Sequence, residues 1–200
     1  KNQFQIARTA YRPIDFSPYL PGSSLKGSIR TAWLDRINHI KQLEHSERID
    51  QHYSPRKLEQ KLLEFETFQD DPFRHLHISD TRYNDEPAPT HILYAISKKK
   101  RPSEHNTSKL PVILETIPGM LADAFTGEIR IHSNIRNDKN QINWQALCDA
   151  CNAFYWPQLK AELDHTHFAG IIDATWLQVV KDLLANELSD LRKNHQGFLL

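Results

Sequence analysis

Residues 21–30, Pro21-Gly22-Ser23-Ser24-Leu25-Lys26-Gly27-Ser28-Ile29-Arg30, hold the densest chemistry of the 200-residue chain. A Pro-Gly turn here feeds a helix N-terminus. Backbone N–H groups without intrahelical partners, two hydroxyls and the positive end of the helix dipole together attract an anion. Lys26 and Arg30 add charge one turn apart. Gly27 weakens the helix, but its missing side chain lets another backbone, such as a sugar-phosphate chain, come close. The same residues also describe a well-capped helix, with Ser23 or Ser24 as N-cap and a glycine packed on a sheet. The Gly and Lys spacing does not fit a Walker A loop.

Three other constellations carry reactive groups. Cys148-x-x-Cys151 followed by His165 and His167 offers four candidate metal ligands, but a zinc finger wants three to five residues between its histidines and here there is one. The cysteines also fall in a helical pattern with Leu147 and Phe154, which reads as buried, inert thiols. No metal and no cofactor is expected. His75 and His77 would share a strand face and, with Asp80, could bind metal or act as acid and base. Asp80 alone also suits the start of a turn. Lys98-Lys99-Lys100-Arg101 is a cationic run, equally suited to phosphates and to a solvated loop.

Composition bounds the class. Hydrophobic residues make up 39% and charged residues 25%, ordinary for a globular chain, so collagen, long coiled coil and wholesale disorder are excluded. No apolar run approaches the ~20 residues of a membrane span. No membrane segment or signal peptide is visible, and two cysteines make no disulfide framework, so a cytoplasmic location is expected. The net charge is zero, against a non-specific nucleic-acid coat. That zero conceals segregation. Residues 1–60 hold ten bases and six acids, 61–90 three and seven, 91–136 seven and four, and 137–200 five and eight.

These residues need elements to position them. Residues 17–22 read as an extended piece ending in a turn. Leu25, Ile29, Trp33, Ile37 and Ile40 mark one face of a helix, and Ser54-Pro55 starts a second, with Leu58, Leu62 and Phe65 as its apolar stripe. Residues 73–79, 91–97, 111–117 and 125–132 read as strands. Asn143 caps a helix over 144–163, which Pro157 should kink or split. Asp173 or Thr175 starts another, with Trp176, Val179, Val180, Leu183, Leu184, Leu188 and Leu191 on its buried face and Gly197 closing it. Gly197 to Leu200 reads as the start of an apolar strand. The irregular mixture predicts an α+β fold.

The stretch Pro21 to Gly27 followed by Arg30 resembles the signature of the RAMP superfamily, the RRM-like RNA-binding subunits of CRISPR effector complexes. Asp71-Pro72-Phe73-Arg74-His75-Leu76-His77-Ile78-Ser79-Asp80 resembles the Phe…Ile/Val-Ser-Asp stretch of the type III-A (Csm) subunit that caps the complex at the crRNA 3′ end. Glu115-Thr116-Ile117-Pro118-Gly119, leading to Phe125-Thr126-Gly127-Glu128-Ile129, is similar to that family's strand pair. The resemblance implies a ferredoxin-like RAMP core over residues 1–136, with a helical insertion near 41–70, and a helical part over 137–200. The family's first strand would precede residue 1 and its glycine-rich motif would follow residue 200, so the chain is expected to be truncated at both ends.

The resemblance further implies a non-catalytic crRNA-binding capping subunit of a type III-A effector, contributing to crRNA 3′-end maturation and antiviral defence. Its partners would be crRNA, backbone RAMP subunits and trimming nucleases. RNA would meet Ser23, Ser24, Lys26, Gly27, Arg30 and Lys98, Lys99, Lys100 and Arg101. Phosphate contacts of this kind position RNA without reading its sequence. Among sheet aromatics, Tyr94, Phe73 and Phe125 are candidates for base stacking. Two alternatives stay open. One is a RAMP endoribonuclease or target-cleaving backbone subunit using His75, His77 or a loop aspartate such as Asp80 or Asp123. The other is a protein-binding scaffold built on the helical half, rich in Trp144, Phe154, Tyr155, Trp156 and Trp176.

Overall fold

A computed structural model describes residues 5–42, 55–85, 90–95, 112–119, 121–132, 142–165 and 172–200. Helices and short strands alternate irregularly, as expected for α+β. The chain forms two compact units that interleave in sequence: residues 1–24 with 78–128, and residues 25–77 with 129–200. The expected run at Lys98–Arg101 lies outside the described residues.

In the first unit, β1 (Ile6–Ala7) pairs in parallel with β5 (Val112–Thr116), and β5 pairs antiparallel with β4 (His91–Ala95). The sequence pattern offered no strand near residue 6. Two residues are too few for a readable alternation, and pairing with β5 makes the strand. Arg8 Nε donates to Glu115 Oε2 at 2.9 Å, fastening the end of β1 to β5. This bond raises the arginine's pKa and lowers that of the carboxyl. A second pair joins β3 (Arg82–Tyr83) to β6 (Phe125–Thr126), where the Tyr83 and Phe125 rings meet edge to face at 5.2 Å. The expected strand over 125–132 is broken at Gly127, into β6 and β7 (Ile129–Ile131). A Cβ on Gly127 would crowd Thr81 Cγ2 at 3.0 Å.

The second unit holds the larger core. Helix α1 (Gly22–Lys41) buries Ile29, Trp33 and Ile37, as its spacing predicts, and Ala32 besides, but Leu25 is half-buried and Ile40 is 66% exposed. α2 (Pro55–Leu63) buries Leu62 and Leu63. Residues 73–75 do not join the expected strand: Asp71 accepts from Phe73 N at 2.9 Å and Pro72 opens a 3₁₀ turn, so β2 spans only Leu76–Ile78 and pairs with β7.

α3 (Trp144–Asp164) starts as predicted, with Asn143 Oδ1 accepting from Ala146 N at 2.9 Å. Pro157 does not split it. The carbonyl left without its donor belongs to exposed Ala153, where water can serve it, and the Gln158 side-chain amide donates to the Phe154 carbonyl at 2.7 Å. α4 (Ala174–Ala185) is capped by Asp173. The single helix expected through Leu191 breaks at Asn186, and α5 (Glu187–Lys193) follows. The expected buried face is only partly covered: Leu184 is buried and Val180, Leu183 and Leu188 are half-buried, but Trp176, Val179 and Leu191 are 41–42% exposed.

The left-handed closing position belongs to His195 (φ 53°), not Gly197. Tertiary contacts override the glycine preference here. His195 Nε2 meets Asp149 Oδ1 at 2.9 Å, and its carbonyl accepts from Trp144 Nε1 at 2.7 Å. Residues 197–200 form no strand. The Asn152 side chain instead satisfies both Gly197 O and Leu199 N.

Arg30 ties α1 to its neighbours. Its Nη1 reaches both Asp71 oxygens, at 2.9 and 3.2 Å, its Nη2 reaches Glu59 Oε2 of α2 at 3.0 Å, and its guanidinium lies 4.9 Å from the Phe73 ring centroid. The Asp71 side chain is only 7% exposed. Removing one partner of such a pair strands the other in a poor dielectric. Asp71→Ala is therefore expected to lower unfolding free energy by about 2–3 kcal/mol after discounting for the part-exposed arginine. The measurement is a urea midpoint at unchanged slope; a loss under about 0.5 kcal/mol would mean that the pair is screened as surface pairs are.

Candidate nucleic-acid interface

The approach to α1 is fastened before the helix begins. Tyr19 N donates to Ala10 O at 3.0 Å. Leu20 and Thr81 exchange two bonds, Leu20 N to Thr81 Oγ1 at 2.8 Å and Thr81 N to Leu20 O at 3.0 Å. The Gly22 N–H then donates to Asp80 Oδ1 at 2.8 Å. Gly22 is buried, and a Cβ there would overlap the carbonyl oxygens of Ile78 and Ser79. Only glycine allows this approach.

This overturns the expected N-cap. Neither Ser23 nor Ser24 caps the helix, because α1 already begins at Gly22. The capping oxygen comes from Asp80, and sequence spacing cannot show a partner that distant. Asp80 thus holds the start of a distant helix and starts no turn of its own, and its negative charge complements the helix dipole. The serines sit in the first turn, exposed, and their hydroxyls make no hydrogen bond among the described residues. Gly27 is also exposed, and a Cβ on it would meet nothing within 4 Å. The glycine does not pack on a sheet; it leaves bare helix backbone at an open surface.

Lys26 is half-buried beside this face. Burial is the main cause lowering its pKa, Arg30 lowers it further, and Asp71 opposes both. Arg30 stands apart, committed to Asp71 and Glu59. The open surface of the motif therefore consists of Ser23, Ser24, Gly27 and the edge of Lys26. It admits a close, polar, extended ligand.

The other candidates divide. Among the described residues, His75 and His77 belong to no group of three His, Cys, Asp or Glu side chains that could hold a metal ion. His77 instead meets His132 edge to face at 5.1 Å, a neighbour that β2–β7 pairing supplies and spacing could not. Burial raises both cysteine thiols, Cys151 to about 12, which fits inert core thiols. Among the described residues no cluster of His, Cys, Asp and Glu could hold a metal ion. Phe73 is buried, and Phe125 packs on Tyr83; Tyr94 is 63% exposed on β4. Asp123 lies at a turn with φ 50°, and its carbonyl accepts from Asn84.

The two glycines of the motif should separate in mutagenesis. Gly22→Ala is expected to cost well over 1 kcal/mol, through backbone overlap. Gly27→Ala should be neutral or stabilising by up to about 1 kcal/mol, through helix propensity. Equal unfolding midpoints for the two variants would show that the Gly22 contact is not required.

Among the described residues no helix is long and apolar enough to cross a membrane. No curated protein matches the chain. Its fold is similar to that in a crystal structure of T. onnurineus Csm5, with TM-score 0.55 and 18% identity over 90% of this chain; the match spans 61% of the Csm5 chain. A cryo-EM structure of a type III-A Csm–crRNA–target RNA ternary complex has a chain at TM-score 0.48 and 18% identity, covering 96% of this chain and 67% of the other. The profile of the RAMP superfamily matches residues 5–164, and the chain belongs to that superfamily.

Proposed function

We propose that this chain is a non-catalytic crRNA-binding subunit of a type III-A CRISPR effector, seated at the crRNA 3′ end of the complex. It would guide 3′-end maturation by trimming nucleases and so serve antiviral defence in the cytoplasm. Membership of the RAMP superfamily and the fold similarity to Csm5 support the class. The observation that carries the RNA contact is the open first turn of α1, with Ser23 and Ser24 hydroxyls that have no partner among the described residues, bare Gly27 and adjacent Lys26. A sugar-phosphate backbone is the extended, anionic, sequence-variable ligand that such a surface suits. The non-catalytic reading draws on Asp80, whose carboxylate is engaged at the helix start. Contacts to backbone RAMP subunits would use the apolar surface that Trp176, Val179 and Leu191 leave open on α4 and α5.

Lys26→Glu combined with Ser24→Asp is expected to weaken binding of a single-stranded RNA carrying a repeat-derived tag and spacer. The fall should be about tenfold near 0.1 M salt, with a shallower salt slope. Identical affinity and slope across a salt titration would sink the α1 contact. The purified chain is also expected to leave crRNA and target RNA uncut. A cut that disappears in His77→Ala would make it a ribonuclease.

A further inference from the structure

A second cationic site lies far along the chain from the α1 motif. Trp156, Lys160 and Asp164 of α3 face Lys181 of α4 and Arg192 of α5 across a cleft of about 360 Å³, a volume typical of small-ligand sites. Leu163 and Leu184, both buried, give it an apolar lining. The Arg192 guanidinium sits 4.3 Å from the Trp156 ring centroid and makes no ion pair among the described residues. A guanidinium held over an indole keeps its far side for a second planar group, and arginine planes are surfaces on which unstacked bases settle. Lys181 Nζ bonds Asp164 Oδ1 at 2.8 Å. Lys181, and more weakly Lys160, lower the Asp164 pKa, and the cleft lining as a whole holds three cations, Lys160, Lys181 and Arg192, against one carboxylate. An apolar lining, a stacked guanidinium and surplus positive charge together match a base joined to a phosphate.

We propose that this cleft binds one unpaired nucleotide of single-stranded RNA, its base against Arg192 and Trp156 and its phosphate toward Lys160 and Lys181. The choice of RNA rests on the function proposed above; the cleft itself does not. An acidic protein segment would answer the charge but would not need the arginine plane.

The test is fluorescence anisotropy of the 200-residue chain with a labelled ten-residue oligoadenylate, comparing wild type, Arg192→Ala, Arg192→Lys and Lys26→Glu. Arg192→Ala should lose five- to tenfold in affinity. Arg192→Lys keeps charge and helix propensity but not the plane, so it should lose nearly as much, with an unchanged circular dichroism spectrum. Full affinity in Arg192→Lys would overturn the proposal, since charge alone would then suffice. Wild-type affinity in both Arg192 variants, beside a loss in Lys26→Glu, would exclude the cleft and leave the α1 reading standing. No oligoadenylate binding by wild type would remove both. An oligoglutamate peptide that binds in an Arg192-dependent way, with no oligoadenylate bound, would reassign the cleft to protein and overturn the proposal.

Discussion

The bond from the Gly22 N–H to the Asp80 carboxylate fixes the start of α1, and much of the candidate surface depends on it. A helix start leaves donors that must be met, and here one is met by a residue 58 positions away. The backbone at residues 78–79 passes so close to Gly22 that no side chain fits there. Leu20 and Thr81, bonded twice, hold the approach. Because the cap comes from outside the motif, both serines are released from capping and face outward in the first turn. A serine N-cap would have turned its hydroxyl back on the helix.

The cations of α1 show how a neutral chain can keep a selective polar face. Arg30 is held by Asp71 and Glu59. Arg36 donates to the Ala146 carbonyl at 2.9 Å, and Lys41 to the Leu62 carbonyl at 2.8 Å and to Glu64. Three of the four Lys and Arg cations that the sequence places on this helix thus fasten it to its surroundings. Lys26 alone borders the open first turn. Net charge could not show this, because a guanidinium spent on a buried carboxylate counts the same as one facing solvent.

The helical half follows a different logic. Its C-terminal segment is tied down by polar bonds from α3: Trp144 and Asp149 hold His195, and Asn152 holds residues 197 and 199. Yet α4 and α5 leave Trp176, Val179 and Leu191 open. Large apolar groups on neighbouring helices are costly to expose, and a surface of this kind suits a protein–protein contact.

Much of this was legible in the sequence. The α+β class, the core face Ile29, Trp33 and Ile37, the Pro55 helix start, and the Asn143 and Asp173 caps all follow from periodicity and local capping chemistry, because they depend on residues a few positions apart. The motif around Ser23, Ser24 and Gly27 was also readable, since residue types and spacing carry it. What only the tertiary structure decided were the long-range choices. It made Asp80 the cap of α1, drew Arg30 inward to Asp71, paired Ile6–Ala7 with β5, gave His195 the left-handed position expected of Gly197, and set Arg192 over Trp156. Each joins groups far apart in the chain. Local propensities differ by about 1 kcal/mol or less, so one buried ion pair, one close backbone approach or one long-range hydrogen bond is enough to overrule them.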